Sequence, residues 1–298
     1  MRILVTGKNG QLGRSIQKIV NTDTKIGNNQ SPNEYIFVGK EDLDLSSESS
    51  ISHYFNNNKF DIIINCAAYT QVDRAEQEAE LANQINHLAV KQLASIASNQ
   101  RARLIHISTD YIFDGERNKP YLETDTPNPI NAYSRTKLAG EKALQTVMPI
   151  NAIIIRASWL YSEYSNNFVS TMLRLGRERD ELSVVNDQIG SPTYAADLAE
   201  AILTIINNKD YQNKECPTEI YHYSNEGEIS WYDFAREIFK IKKIECEVNS
   251  IATKQYPTPS KRPRNTLMSK NKIVKLFSLV IYDWVESLQN CIKNIEEK

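Results

Sequence analysis

Met1-Arg2-Ile3-Leu4-Val5-Thr6-Gly7-Lys8-Asn9-Gly10-Gln11-Leu12-Gly13 opens the chain with an apolar run that breaks on glycine and passes straight into a helical pattern. A strand, a glycine turn and a helix in that order leave unpaired N–H groups at the helix N-terminus, where an anionic pyrophosphate is best held. Gly7 permits the tight turn, Gly10 the close approach of backbone to phosphate, and Gly13 the packing of helix on strand. The spacing is GxxGxxG rather than GxGxxG, so it is the placement between strand and helix that points to a dinucleotide, with Gly7, Gly10, Gln11 and Leu12 against it. A Walker phosphate loop would need Gly-Lys-Ser/Thr, which this stretch lacks.

Outward from this unit, short β-branched runs at 2–6, 35–39, 61–66, 103–108 and 151–156 alternate with helical patterns near 11–20, 47–57, 78–99 and 132–147. Such alternation predicts βαβ units, and right-handed crossovers put helices on both faces of one parallel sheet. The fold class is therefore α/β, a doubly wound Rossmann-type sheet. Beyond 157 the rhythm is broken by Pro192, Pro217, Pro257, Pro259 and Pro263, as in a lobe laid over the carboxyl edge of the sheet. We expect residues 1–157 to form the dinucleotide-binding domain and 158–298 mainly a substrate-binding lobe, some segments of which return to the first domain.

The 298 residues are 41% hydrophobic and 24% charged with a formal charge of −2, which gives no basic field for nucleic acid. No apolar run reaches bilayer-spanning length, and the first strand begins at once, so neither a membrane nor a signal peptide is expected. Cys66, Cys216, Cys246 and Cys291 are widely spaced with no CxxC pair, which argues for reduced thiols rather than disulfides or zinc, and for the cytoplasm.

The second strand ends Phe37-Val38-Gly39-Lys40, where an acidic residue would mark NAD. Lys40 can meet the 2′-phosphate of NADPH, which is the favoured cofactor with NADH as the alternative; with Glu41 and Asp42 directly after it, a solvated surface lysine is the plainer reading. Asp44-Leu45-Ser46 falls beside the adenine, with Leu45 packing on it and Asp44 either bonding the base or capping a helix. The third strand runs into Ala67-Ala68-Tyr69-Thr70, small residues against which a cofactor can lie. The fourth delivers Ser108-Thr109-Asp110 to the same edge. His106, inside that apolar strand, reads as a satisfied sheet histidine and receives no role.

Tyr133-Ser134-Arg135-Thr136-Lys137 follows, placing Tyr133 and Lys137 one helical turn apart on one face. Reduction of a ketone needs a proton for its oxygen, and a tyrosine of pKa about 10 becomes a better partner when an ammonium stands nearby. Lys137 would lower Tyr133 and hold the nicotinamide ribose, and Thr109 or Ser108 would bond the carbonyl oxygen. Of the 15 tyrosines only Tyr133 has lysine four residues on. The pair gains weight from following the glycine turn and the hydroxyl-bearing strand in the expected order.

Several longer runs carry a resemblance to a known family: NCAAYTQVDRAE at 65–76, STDYIF at 108–113, RASWLY at 156–161, Asn167-Phe168-Val169, VVNDQIGSPT at 184–193 and Arg262-Pro263. Together with the glycine turn and Tyr133 to Lys137 they make the chain resemble, over nearly its whole length, the dTDP-4-dehydrorhamnose reductases of the extended short-chain dehydrogenase/reductase superfamily. The resemblance implies NAD(P)H-dependent reduction at C4 of dTDP-4-dehydro-β-L-rhamnose to dTDP-L-rhamnose, with Thr109, Tyr133 and Lys137 catalytic. It implies Ala67, Ala68, Tyr69 and Ser108 on the cofactor, and Thr70, Thr109, Asp110, Trp159, Asn167, Gln188 and Thr193 on the substrate. Arg262 would bind the diphosphate, to which a guanidinium fork is suited. Plainer readings stand beside these: Trp159 as a core aromatic, Asn167 as a turn residue, Gln188 as a surface amide, and Arg262 in a solvated cluster with Lys261 and Arg264.

The sequence departs from relatives that dimerise through magnesium, since Arg14 or Ser15 and Ala195 or Ala196 stand where carboxylates would be. No bound metal is expected, and the oligomeric state stays open. Two rival functions remain: a reductase of another 4-keto-6-deoxy sugar nucleotide, and a regulatory subunit like that of methionine adenosyltransferase. The Trp159 and Asp187-Gln188 runs favour an enzyme.

Overall fold

The computed structural model describes residues 1–22 and 33–296. Five strands come first: β1 (Arg2–Thr6), β2 (Glu34–Val38), β3 (Ile62–Asn65), β4 (Arg103–Thr109) and β5 (Ala152–Ala157). After them come β6 (Leu160–Tyr161), β7 (Glu181–Val185), β8 (Ile189–Gly190), β9 (Thr193–Tyr194), β10 (Glu219–Tyr223), β11 (Ile229–Ser230) and β12 (Glu247–Ile251). The main sheet has the order β10-β5-β4-β3-β1-β2, and every neighbouring pair in it is parallel.

Parallel strands covered on both faces must be apolar on both faces, and the isoleucine-rich strands show how the alternation is used. Ile3, Val5, Ile62, Ile64, Ile105, Ile153 and Ile155 pack on one side against Leu12 and Ile16 of helix Gln11–Thr22 and against helix Ala195–Asn207. Leu4, Ile63, Leu104 and Ile154 face the other way, onto Ile51, Val90, Leu93 and Leu144 of three helices on the opposite face. The predicted doubly wound sheet is thus present, with element ends shifted by about a residue. The sixth strand, β10, was not read from the sequence; it pairs with β5 at the sheet's far edge.

The region expected as one helix over 78–99 is Ala79–Asn83, a π-helical turn over Gln84–Leu88, and Ala89–Gln100. A buried amide accompanies the widened turn: Asn86 accepts from the Tyr69 backbone N–H at 2.9 Å and donates to the Tyr69 carbonyl at 3.0 Å. A Cβ on Gly140 would lie 2.1 Å from the Asn86 carbonyl oxygen, so glycine lets helix Ala132–Val147 press directly on this turn.

The chain after β5 builds a second apolar cluster around Tyr161, Val169, Leu173, Phe234, Ile238 and Leu288. Small pairings tie it together: β6 with β9, β7 with β12, and β8 with β11. No described helix is long and apolar enough to cross a membrane.

Beneath the carboxyl edge lies a buried ion pair. Arg156 of β5 donates to Glu141 from Nη2 at 2.7 Å and from Nε at 3.1 and 3.2 Å, with side chains 2% and 1% exposed. Ser108 donates to the same carboxylate at 2.5 Å, and His222 Nε2 lies 3.4 Å from Arg156 Nη1. Desolvation makes such a pair weak as a net source of stability but costly to break from one side. Arg156→Leu is therefore expected to lower unfolding free energy in urea by about 3–5 kcal/mol, by leaving Glu141 buried without its counter-ion. A loss below about 1 kcal/mol, the range of an exposed pair, would refute this account.

Candidate active site

In a sheet of this order β2 and β3 flank β1 on opposite sides, so the loops leaving β1 and β3 part and open a crevice at the carboxyl edge. A cavity of about 800 Å³ occupies it, reaching from the glycine turn across β4 to the loop after β5. Gly7 has φ +71°, and a Cβ there would meet the Ala67 backbone nitrogen at 3.0 Å; a Cβ on Gly13 would stand 2.3 Å from the Gly7 carbonyl oxygen. The turn and the helix after it can pack this closely only with glycine at both positions. Gly7, Gly10, Gln11 and Leu12 all line the cavity. Gln11 also accepts from Ser162 at 2.9 Å and from Asn167 at 3.1 Å, coupling the turn to the loop after β6.

Beyond β2, Lys40 lies at the cavity mouth, with its side chain 78% exposed and its ammonium 3.8 Å from Asp44. Its neighbour Lys8 is committed, at 2.6 Å from Asp42 and 2.8 Å from Glu41. Asp44 accepts from the Ser46 backbone N–H at 2.8 Å and hydroxyl at 2.6 Å, a turn role rather than a helix cap, because Ser47 caps helix Glu48–Asn56. Leu45 is buried and lines the cavity.

Ala67, Ala68 and Thr70 line the middle of the cavity, and Tyr69 does not. Its ring packs with Ala75 and Ala132, and its hydroxyl donates to Glu78 at 2.5 Å. Alternation along an extended loop turns it away from its neighbours.

Helix Ala132–Val147 starts at the cavity because Asn131 caps it, accepting from the Ser134 backbone N–H at 2.8 Å. Tyr133, Lys137 and Glu141 follow at four-residue spacing on its buried stripe. The Thr109 hydroxyl donates to Asp110 at 3.1 Å and stands near enough to the Tyr133 hydroxyl to lower its pKa. Lys137 donates from Nζ to the Ile107 carbonyl at 2.6 Å. Ser108, Thr109, Asp110, Tyr133 and Lys137 therefore meet in one cavity.

Burial governs their protonation. It pushes Tyr133 up to about 12, against the lowering pull of Thr109. The lowering expected from the Lys137 ammonium is not found: Asp110 adds to the rise, and Lys137 is turned to the Ile107 carbonyl. Burial brings Lys137 down to about 8, partly opposed by Glu141. Asp110 rises to about 7 for the same reason.

Trp159 and Asn167 line the far end of the cavity; Gln188, Thr193 and Arg262 do not. Asn167 caps helix Phe168–Glu178 and spends its amide on Gln11 and on the Ser162 carbonyl at 2.8 Å. Gln188 donates to Thr253 at 3.1 Å, and Thr193 is fully buried in β9. Arg262 forms a two-pronged pair with Asp73 at 2.9 and 2.7 Å, neither a solvated cluster nor a free fork. Residues not singled out from the sequence are Asn86, Glu141 and Trp231. Glu141 was within reach, since it continues the four-residue spacing of Tyr133 and Lys137. Trp231 follows a Ser-x-x-Asp helix start at Ser230. Nothing local marks Asn86.

The family model described as "RmlD substrate binding domain" matches residues 1–297. The dTDP-4-dehydrorhamnose reductase of Aggregatibacter actinomycetemcomitans is 40% identical over 97% of this chain and 97% of its own. The crystal structure of a dTDP-4-dehydrorhamnose reductase from Clostridium acetobutylicum superposes with a TM-score of 0.90 at 39% identity, covering 99% of this chain and 100% of that one. That of Bacillus anthracis, in complex with NADP, gives 0.88 at 36% identity over 98% and 99%. With its glycine turn, its Thr109, Tyr133 and Lys137 in one cavity, and a match along its whole length, this chain belongs to the dTDP-4-dehydrorhamnose reductase family.

Proposed function

We propose that this chain uses NADPH to reduce the C4 ketone of dTDP-4-dehydro-β-L-rhamnose to dTDP-L-rhamnose. The observation that carries the reading is the meeting of Thr109, Tyr133 and Lys137 in the cavity that begins at the glycine turn. The cofactor fits on the ground that side chains at Gly7 and Gly13 would fill or distort the turn against which a pyrophosphate must lie. Gly7, Gly10, Gln11 and Leu12 would hold the pyrophosphate, Leu45 the adenine side, Lys40 the 2′-phosphate, and Ala67, Ala68 and Ser108 the nicotinamide half. The division of labour follows, with residues 1–157 chiefly for cofactor and the later lobe chiefly for the dTDP-sugar. We place the work in the cytoplasm and assign no nucleic-acid partner.

When bound, the dihydronicotinamide supplies a hydride to the ketone carbon. The protein's part is to position and to protonate. Thr109 donates to the ketone oxygen and orients it beside Tyr133. Burial keeps the Tyr133 proton on Oη at neutral pH, so the tyrosine enters as an acid. An alkoxide is a far stronger base than a phenolate, and transfer of that proton to the reduced oxygen runs downhill. Lys137, anchored on the Ile107 carbonyl, offers its ammonium to the phenolate that results. Thr70 and Asp110 would bond sugar hydroxyls and Trp159 would cover the ring. In this reading the diphosphate replaces the Asp73 carboxylate on Arg262.

Turnover of enzymatically made dTDP-4-dehydrorhamnose, followed by NADPH oxidation and identification of dTDP-rhamnose, tests the whole reading; cofactor binding with no turnover of this ketone would reject it. Tyr133→Phe should lower kcat about 10²–10⁴-fold while leaving NADPH affinity within a factor of a few. Lys40→Ala should raise KM for NADPH and spare that for NADH, and an equal change for both would remove Lys40 from the 2′-phosphate. The pH dependence has opposite signs for activity and stability. Lys137 loses its charge above about 8, so kcat should fall there. Its folded pKa lies below the unfolded value of 10.5, so the unfolded chain binds more protons and stability rises between about 8 and 10.5. Lys137→Met should abolish both slopes, measured by initial rates and by urea unfolding across that range.

A further inference from the structure

Trp159 has φ +46° and is the only aromatic among the described non-glycine residues with positive φ. For a bulky side chain that conformation is strained, and it persists only where the surroundings dictate it. Three sets of contacts do so. It is tied to the 191–193 segment twice: the hydroxyl of the preceding Ser158 donates to the Ser191 carbonyl at 2.5 Å, and the Thr193 N–H donates to the Trp159 carbonyl at 3.2 Å. The indole lies against Gly190, where a Cβ would stand 2.7 Å from a ring carbon. It is also stacked on Trp231 with ring centroids 3.6 Å apart and planes 11° from parallel; Phe168 in turn packs on Trp231 at 4.6 Å.

Both indoles line the cavity. Trp159 comes two residues after Ala157, which pairs in register with Thr109, so the stack stands beside the group that orients the ketone. An indole there presents its π-face to whatever ring carries that ketone. The family assignment names no role for the second tryptophan, which lies far along the chain on helix Trp231–Lys242.

We propose that Trp231 is a positioning residue: with Gly190 it holds Trp159 in its strained turn as an aromatic platform for the apolar face of the keto-sugar ring. This rests on the reading of a nucleotide-linked deoxysugar as substrate. Trp231→Phe keeps an aromatic wall but loses the extended overlap, and Gly190→Ala pushes Trp159 from the other side without altering Trp231. Each should raise KM for dTDP-4-dehydrorhamnose about tenfold, with KM for NADPH and the thermal midpoint little changed.

The ligand-free protein supplies a second readout. Two indoles stacked this closely couple as excitons, and where their in-plane transition moments are skewed the coupling gives a far-ultraviolet circular-dichroism couplet, whereas Trp284, the third tryptophan, meets Phe234 edge-on at 5.9 Å. The couplet should vanish in Trp231→Phe and Trp159→Phe and survive in Trp284→Phe. Loss of the couplet with unchanged sugar KM in both Trp231→Phe and Gly190→Ala would overturn the positioning role. A fall in thermal midpoint with equal damage to both KM values would overturn it too, by reducing the stack to core packing. Wild-type failure to turn over this ketone would instead reject the substrate reading, while the couplet would still report on the stack.

Discussion

Parallel pairing of β1 with both β2 and β3 is the constraint from which the rest follows. Parallel strands place all their carboxyl ends on one edge, and helices must return each crossover to the other edge. Successive crossovers on opposite sides of β1 leave an uncovered gap where the glycine turn ends and the Ala67-Ala68 loop begins. The next two strands deliver Thr109 and Ala157 to that same edge in register. A site assembled from residues near 7, 67, 109, 133 and 159 thus needs only one geometric cause.

What the sheet gathers, burial then tunes. Tyr133, Lys137 and Asp110 lie in a cavity with few compensating charges, and desolvation is the largest influence on each of their pKa values. The direction suits the proposed reduction, in which the tyrosine would keep its proton until the substrate oxygen takes it up. Glu141 and Arg156 lie one turn deeper, and as a nearly neutral buried pair they support Ser108 without adding net charge to the site. The Glu141 carboxylate also favours the charged form of Lys137, which burial alone would weaken further.

The later part of the chain completes the cavity through contacts rather than through its own regularity. Gln11 accepts from Ser162 and Asn167, so the glycine turn and the loop after β6 share a hydrogen-bond network. Arg262 is drawn onto the loop after β3 by Asp73, and the Lys261 carbonyl accepts from Asn131, the cap of helix Ala132–Val147. Elements distant in sequence are held by paired charges and caps at the places where the site needs a wall.

Local pattern was enough for the strand–turn–helix start, the five leading strands and the helical stripe of Tyr133 and Lys137, because periodicity and glycine placement act over a few residues. The runs at 65–76 and 184–193 added the family and hence the chemistry. Side-chain direction in loops was not legible: Tyr69 turns inward beside Ala68, and Asp44 bonds its own turn. Nor was competition for a charged group, since whether Arg262 is free depends on Asp73, 189 positions away. The sequence by itself determined which residues reach the carboxyl edge. Only the tertiary structure decided their protonation, through the depth of burial, and the pose of Trp159, through a tryptophan and a glycine brought to it from other strands and helices.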